Sequence, residues 1–309
     1  MEMHKHTRNE IQLMIVAVGL LFLGGITIYG SAKHAARLQH EYTESRKDQE
    51  ALTAFFTTDD KAKAVYVFNA TKNKVLFERN ADTPLPLASV AKLATALTVH
   101  EVISKDEKII ISQKALQADG DNGLVADEVW SRDPLIGFML LISSNDAAIA
   151  FKEHYEKNGK DFMVAMNDVG QRIGLTNTRF YNPAGLDING KPGAVGSAKD
   201  VSTLILSFLA TMQDSANQTI FPQHSFSDTS GKAHLVSNTN DLSASIDTLL
   251  ASKTGYTNLA GGNLVIAYRM PVFGDTIVIV VLGSTREGRF VDIESYMRGV
   301  EQYYKISQK

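Results

Sequence analysis

Three short polar runs, in a fixed order along the chain, constrain this protein more than any other feature. They are Ser89-Val90-Ala91-Lys92, Ser143-Ser144-Asn145 and Lys253-Thr254-Gly255, which read S-x-x-K, S-x-N and K-T-G. A single S-x-x-K is a weak signal, because about one match is expected by chance in a chain of this length. Taken alone, Ser89 would also suit a helix N-cap. The joint occurrence of all three runs indicates one composite site.

The residues around the first run predict a buried helix. Pro84 and Pro86 interrupt the chain ahead of Ser89. Residues 90–99 are then apolar nearly all round, which is typical of a buried helix rather than an amphipathic one. Ser89 and Lys92, three positions apart, share one helical face. Ser89 is therefore predicted at a helix N-terminus, where the dipole favours negative charge, with Lys92 one turn deeper and within reach of its hydroxyl.

These residue types suit nucleophilic catalysis. A serine hydroxyl attacks well only when a base takes its proton. Lys92 can be that base if burial or a nearby cation lowers its pKa, and Lys253 is the candidate cation. Ser143 can relay a proton to the leaving nitrogen, and Asn145 can hold the lysine or a substrate amide. The runs thus predict acyl transfer through a covalent acyl-serine.

The third run is predicted to bind the substrate. The backbone N–H groups of Ser89 and Tyr256 are candidates for an oxyanion hole, in which each donor contributes about 10²–10³-fold in rate. Lys253 and Thr254, with Gly255 beside them, are candidates for binding a substrate carboxylate.

Composition excludes several other classes of function. The chain has 309 residues, of which 44% are hydrophobic and 21% charged, as expected for one large globular domain. The net charge is −3 without a basic block, so nothing favours nucleic-acid binding. The chain has no cysteine, which excludes disulfides, thiol catalysis and cysteine–zinc sites. The eight histidines are scattered, and neither a metal nor a cofactor is predicted.

An apolar run at residues 11–30 predicts a membrane anchor. Twenty helical residues span about 30 Å, enough to cross a bilayer. A cleaved signal peptide has a shorter apolar core of roughly 7–15 residues, although Gly30 and Ala32 could mark a cleavage site. A buried core helix is the third interpretation. We predict a tail at 1–10, a transmembrane helix at 11–30 and a polar stalk or linker at 31–60.

The remainder, 61–309, predicts one catalytic domain of the α+β class. Strand patterns at 64–68 and 75–77 flank a hairpin turn, and residues 88–210 are mostly helical in pattern. Strand patterns return at 249–254, 263–268 and 276–282, followed by a closing helix. Both chain ends therefore supply strands to a central antiparallel sheet, and the middle supplies a helical insert.

Further stretches resemble one family, the D-alanyl-D-alanine carboxypeptidases, which are low-molecular-mass penicillin-binding proteins of the S11 serine-peptidase type. The three runs already described match the motif set of penicillin-binding proteins and their β-lactamase relatives. The additional matching stretches are Leu141–Ala148, Phe162–Asp187, Ser252–Thr257 with Ala260-Gly261, and Arg289-Phe290. The resemblance covers roughly residues 61–306.

The resemblance implies a transpeptidase/serine β-lactamase-like fold and an arginine that helps bind the terminal carboxylate. Arg289 is the candidate for that arginine, with Arg286 close by. Three positions depart from the family pattern: Leu87 stands where proline is usual, Ala91 where threonine is usual, and Ser144 where glycine is usual. These departures affect the expected shape of the pocket rather than the catalytic groups.

The leading prediction is a D-alanyl-D-alanine carboxypeptidase that acts on peptidoglycan stem peptides and is acylated by β-lactams. Because peptidoglycan lies outside the cell membrane, the catalytic domain is expected on the extracytoplasmic side of a single-pass anchor. A D,D-endopeptidase is an alternative, which the lack of a β-rich C-terminal module mildly favours. A non-catalytic wall-binding protein is another, which the intact catalytic residues argue against. A β-lactamase is disfavoured, because the chain has no E-x-x-L-N segment to activate deacylating water.

Overall fold

The computed structural model describes residues 33–43, 45–55, 60–120 and 123–307. The predicted tail at 1–10 and the predicted transmembrane helix at 11–30 lie outside these residues. Within the described residues, no helix is both long and apolar enough to span a bilayer.

The chain divides into two units. One consists of the described residues up to Ala54 together with those from Gln302 onward, and the other consists of the described residues of Phe55–Glu301. In the first unit the chain is helical over 33–43 and 45–52, within the segment predicted as a stalk. The second unit contains all three polar runs.

The secondary structure of the described residues is as follows. The strands are β1 (Ala64–Asn69), β2 (Lys74–Arg79), β3 (Leu85–Pro86), β4 (Lys108–Ile110), β5 (Val129–Ser131), β6 (Arg179–Phe180), β7 (Ala194–Gly196), β8 (Gln223–Ser227), β9 (Ala233–Ser237), β10 (Leu249–Thr257), β11 (Gly261–Arg269) and β12 (Thr276–Ser284). Besides the helical residues 33–43 and 45–52, the α-helices are α1 (Lys92–Val102), α2 (Arg132–Leu141), α3 (Asn145–Glu156), α4 (Phe162–Arg172), α5 (Ala198–Thr211), α6 (Gln213–Gln218) and α7 (Gly288–Ser307).

The central sheet is built from both ends of the catalytic domain, as the sequence predicted. Its strand order is β10-β11-β12-β1-β2, and every neighbouring pair is antiparallel. Val67 of β1 lies opposite Ile279 of β12, so the first strand of the domain pairs with its last. The strand carrying the K-T-G run is the edge strand β10, which leaves one side of that run available to a substrate.

The inner strands β1, β11 and β12 are almost wholly buried, which explains their nearly continuous apolar sequences, whereas the edge strand β2 is only partly buried. Helix α5 packs on β1, β10, β11 and β12. Helix α7 contacts the sheet through Tyr296, whose ring centroid lies 5.4 Å from that of Phe77. Asp292 of the same helix accepts a hydrogen bond from Ser284 Oγ at 2.5 Å. The last strand and the closing helix are thus joined at the point where β12 ends.

The insert between β2 and β10 is mainly helical, with short strands that the sequence did not predict. Helix α1 runs through its centre, and its residues 92–99 are all buried, which confirms the prediction from its apolar composition. Short ladders join β3-β7-β6, β4-β5 and β8-β9. Their two- to five-residue lengths give little periodicity to recognise, so only the tertiary structure reveals them.

Candidate active site

Ser89 lies in a tight turn that leads directly into the buried helix. Residues Ala88–Ala91 form a 3₁₀ helix, and α1 begins at Lys92. The sequence placed Ser89 correctly at a helix start, but the first turn is 3₁₀ rather than α. Ala88 has φ +49, a left-handed conformation that is uncommon for a non-glycine residue and often marks functional sites.

The Lys92 amine touches the Ser89 hydroxyl and two fixed acceptors. Lys92 Nζ lies 2.7 Å from Ser89 Oγ, donates to Asn145 Oδ1 at 2.7 Å and to the Ala184 carbonyl at 2.9 Å. The side chain is fully buried. Burial is the main cause that lowers the pKa of Lys92 well below its usual value, and the charge of Lys253 lowers it further, against a smaller opposing effect of Asp146.

This arrangement directs the amine's lone pair at the serine. A neutral lysine amine has two N–H donors and one lone pair. Because carbonyl oxygens only accept hydrogen bonds, Asn145 and Ala184 take the two donors. The lone pair is left facing Ser89 Oγ, which can then donate its proton to Lys92. The geometry therefore supports the predicted base role of Lys92.

The second lysine lies on the other side of the cleft, beside Ser143. Lys253 Nζ donates to Ser143 Oγ at 2.9 Å and to the Thr254 carbonyl at 3.1 Å. Burial, followed by the nearby Arg289 guanidinium, lowers the pKa of Lys253 to about 7. Ser143 has φ +64, a strained conformation at the position where a proton relay was predicted. The structure thus brings S-x-x-K, S-x-N and K-T-G together in one cleft.

The K-T-G strand packs closely against the turn that carries Ser89. A Cβ placed on Gly255 would lie 2.7 Å from the Leu87 carbonyl oxygen and 3.2 Å from the Ser89 nitrogen. Only glycine fits here without moving the strand. The backbone of Gly255 therefore lies next to the Ser89 N–H, and Tyr256, the other predicted oxyanion donor, is the next residue.

The two candidate arginines make different contacts in the structure. Arg289 is largely buried, and its Nη1 donates to the Gly255 carbonyl at 2.9 Å. Its Nε is buried without a hydrogen-bond partner among the described residues. Arg286 instead places its guanidinium carbon 5.1 Å from the centre of the Tyr256 ring. Arg289, rather than Arg286, thus lies against the backbone of the K-T-G strand.

Sequence reasoning missed several groups that complete the site. The Ala184 carbonyl holds Lys92, and the Asp119 carbonyl accepts from Asn145 Nδ2 at 2.6 Å. Both are backbone groups, and the type of a residue does not reveal which contacts its backbone makes. The Thr239 hydroxyl, 2.6 Å from the Thr254 hydroxyl, was also missed, because nothing in the local sequence connects it with the K-T-G strand.

Two of the family departures have a local explanation. The Leu87 N–H donates to the Ala194 carbonyl at 2.9 Å, a bond that a proline at this position could not make. Ser144 is buried and caps α3, because its hydroxyl accepts from the Ala147 N–H at 3.2 Å. Nothing in the structure explains Ala91 in place of threonine.

The chain is similar to known proteins of one family. Residues 50–285 match the model of the peptidase S11 family, described as D-alanyl-D-alanine carboxypeptidase. The chain is 28% identical over 231 residues to the D-alanyl-D-alanine endopeptidase of Escherichia coli K12, covering 71% of this chain and 70% of that protein. It is 28% identical over 206 residues to the D-alanyl-D-alanine carboxypeptidase DacF of Bacillus subtilis, covering 64% and 52%.

Solved structures show the same fold. Penicillin-binding protein D2 of Listeria monocytogenes, in its ampicillin-bound form, superposes with a TM-score of 0.68 at 31% identity, covering 79% of this chain and 98% of that one. The Streptomyces K15 DD-transpeptidase matches with a TM-score of 0.69 at 23% identity, covering 79% and 98%, which supports the fold alone. The family match over most of the chain, on a transpeptidase fold whose cleft joins the three runs, shows that the chain belongs to the D-alanyl-D-alanine carboxypeptidase (peptidase S11) family.

Proposed function

We propose that the protein is a serine-type D-alanyl-D-alanine carboxypeptidase that acts on peptidoglycan stem peptides. One observation carries the proposal: Lys92 has a depressed pKa, two carbonyl partners and 2.7 Å contact with Ser89 Oγ. A neutral amine so placed can take the serine proton at neutral pH. Family membership then identifies the acyl donor as a peptide that ends in D-alanyl-D-alanine.

The reaction proceeds in two steps through Ser89. In the first, Lys92 takes the Ser89 proton while Ser89 Oγ attacks the peptide carbonyl. The Ser89 and Tyr256 N–H groups stabilise the oxyanion, and Ser143 relays the proton held by Lys92 to the leaving D-alanine nitrogen, so that Lys92 is neutral again when the bond to D-alanine has broken. In the second, Lys92 takes a proton from the water that attacks the acyl-serine carbonyl and returns it to Ser89 Oγ as the acyl–oxygen bond breaks, which releases the shortened peptide.

The acylation step is tested with labelled penicillin. Incubation of the purified full-length protein followed by peptide mapping is expected to place one label on Ser89. Ser89→Ala is expected to give none. A label on another residue, or an unlabelled wild-type protein, would overturn the assignment. Because the E-x-x-L-N segment is absent, the adduct is expected to be long-lived, and rapid turnover of the label would instead favour a β-lactamase.

A D,D-endopeptidase is the second candidate. Two relatives matched over 231 and 232 residues are named D-alanyl-D-alanine endopeptidases. The same Ser89 chemistry would then cut the crosslink between two stem peptides. Mass analysis of muropeptides after incubation separates the two activities. Loss of one alanine from uncrosslinked pentapeptides indicates a carboxypeptidase, and conversion of dimers to monomers indicates an endopeptidase.

We also propose that the protein is held in the cell membrane, with residues 31–309 on the extracytoplasmic side. The support is the apolar run at 11–30 together with a substrate that lies outside the membrane. Protease added to spheroplasts is expected to remove the catalytic domain. A mature protein that begins near Lys33 and is released from the membrane would show that the segment is cleaved.

A further inference from the structure

Thr239 connects two sides of the active-site cleft without belonging to any of the three runs. Its backbone N–H donates to the Leu141 carbonyl at 3.2 Å, and Leu141 ends helix α2 two residues before Ser143. Its hydroxyl lies 2.6 Å from the hydroxyl of Thr254, in the K-T-G strand. Thr239 therefore links the segment that leads into Ser143 with the substrate-binding strand.

The position of Thr239 is fixed by the residues on either side. Asn238 donates from Nδ2 to the Thr219 and Phe221 carbonyls at 2.8 and 2.9 Å. Asn240 is 1% exposed, and its Oδ1 accepts from the Leu242 N–H at 3.1 Å. Because both neighbours are held by hydrogen bonds, the backbone of Thr239 has a fixed position from which its hydroxyl reaches Thr254.

The contact between the two hydroxyls decides where the Thr254 proton points. Each hydroxyl has a single proton to donate. If Thr254 donates to Thr239, no proton remains for a substrate. If Thr239 donates, Thr254 accepts that bond and keeps its own proton for a ligand. Among the described residues, the second acceptor near Thr239 Oγ1 is the Leu141 carbonyl at 3.5 Å, which is long for a hydroxyl donor.

We propose that Thr239 is a positioning residue that reserves the Thr254 hydroxyl proton for the free terminal carboxylate of the substrate. This proposal rests on the proposed peptidase function, in which Thr254 binds that carboxylate. Lys253 and Arg289 supply positive charge, which attracts an anion without fixing its orientation. The Thr254 hydroxyl adds a directional bond, and Thr239 sets that direction. The pair would thus favour peptides with a free terminal carboxylate over peptides whose carboxylate is blocked.

Two variants separate the hydroxyl from the shape of the side chain. Thr239→Val keeps the branched shape and removes only the hydroxyl, whereas Thr239→Ser keeps the hydroxyl. The two substrates are a peptide ending in D-alanyl-D-alanine and the same peptide with a C-terminal carboxamide. Measuring kcat and KM for both gives a selectivity ratio within one preparation, which does not depend on the fraction of folded protein.

In Thr239→Val the Thr254 hydroxyl is free to rotate, and the loss of its fixed direction is expected to weaken one hydrogen bond to the carboxylate and raise KM for that peptide about three- to tenfold. kcat for that peptide, and both constants for the amide, should change little. Thr239→Ser is expected to retain the wild-type selectivity ratio. An unchanged ratio in Thr239→Val, or equal losses on the two peptides, would overturn the proposal, because a purely structural role would affect both substrates alike.

Failure of the proposed function is recognised separately. If the wild-type protein cleaves neither peptide, the peptidase proposal fails. The role of Thr239 is then measured by acylation alone, using penicillin and its methyl ester as the carboxylate and blocked probes. A lower preference for penicillin in Thr239→Val than in Thr239→Ser is the expected result, and equal preferences would contradict it.

Discussion

The two buried lysines of the cleft are the same residue type under similar desolvation, yet their surroundings suit them to different tasks. Lys92 meets two carbonyl oxygens and the Ser89 hydroxyl, and the two carbonyl oxygens leave its lone pair facing Ser89 Oγ. Lys253 meets the Ser143 hydroxyl and its own strand, with Arg289 nearby. Burial lowers the pKa of both amines. The neighbours, rather than the depth of burial, distinguish the proposed base from the proposed anion-binding cation.

The largest expected difference between the two lysines comes from arginine substitution. Arginine keeps the positive charge but does not lose its proton in the working pH range. Lys92→Arg should therefore slow acylation of Ser89 about 10²–10⁴-fold, whereas Lys253→Arg should keep a readily measurable rate. The acylation rate with labelled penicillin tests both variants, with thermal unfolding as the control for folding. Near wild-type acylation in Lys92→Arg would mean that Ser143 or solvent, rather than Lys92, is the base.

The close approach of β10 to the turn that carries Ser89, which occurs at Gly255, predicts the next largest effect. The added Cβ of Gly255→Ala would lie 2.7 Å from the Leu87 carbonyl, so β10 must shift away from Ser89. Acylation is expected to fall about 10- to 100-fold, up to the contribution of one oxyanion donor.

Gly190→Ala is the matched control for this substitution. It strains a backbone with φ +71 but has nothing within 4 Å of the new Cβ. It should lower the melting temperature without slowing acylation. Equal rates for Gly255→Ala and the wild type would show that the strand accommodates the methyl group.

The pH dependence should separate the two amines. Lys92 has a lowered pKa and acts when neutral, so activity should rise with pH as it loses its proton. Lys253 has a pKa of about 7 and acts when charged. kcat/KM should therefore fall above about pH 7, by roughly tenfold per pH unit at the limit.

Substitution of Lys253 tests which amine causes the fall. Substrate carboxylate stabilises the charged form of Lys253, so the fall should be weaker in kcat than in kcat/KM. In Lys253→Arg the fall near pH 7 should disappear while the rise at low pH remains. A fall that persists in this variant would assign it to another group.

The smallest expected effect concerns the helix that presents Asn145 to Lys92. Ser144→Ala removes the cap of α3 and should lower the free energy of unfolding by about 0.5–2 kcal/mol, whereas Ser144→Gly should cost only a few tenths. Melting temperatures of the two variants measure the difference. An equal loss in both would mean that the hydroxyl is not the source of the stabilisation.

The fold was predictable to the extent that its elements carry periodic patterns. The hairpin of β1 and β2, the three C-terminal strands and the buried helix α1 were all predicted, because apolar residues recur in them at strand or helix spacing. The β8–β9 hairpin and the 3₁₀ turn at Ala88–Ala91, which precedes α1, were not predicted. Their short segments give no periodicity, and contacts from distant parts of the chain set their conformation.

The sequence by itself was enough to predict Ser89 as the nucleophile, the two lysines beside it and the order of the chemistry, because hydroxyl, amine and amide groups are properties of residue type. Only the tertiary structure decided which lone pairs and protons face one another. The Ala184 carbonyl on Lys92, Arg289 on the Gly255 carbonyl and Thr239 on Thr254 all join residues that are not neighbours in the chain. Two of these contacts use backbone oxygens, which every residue carries, so the folded chain alone selects the ones that complete the site.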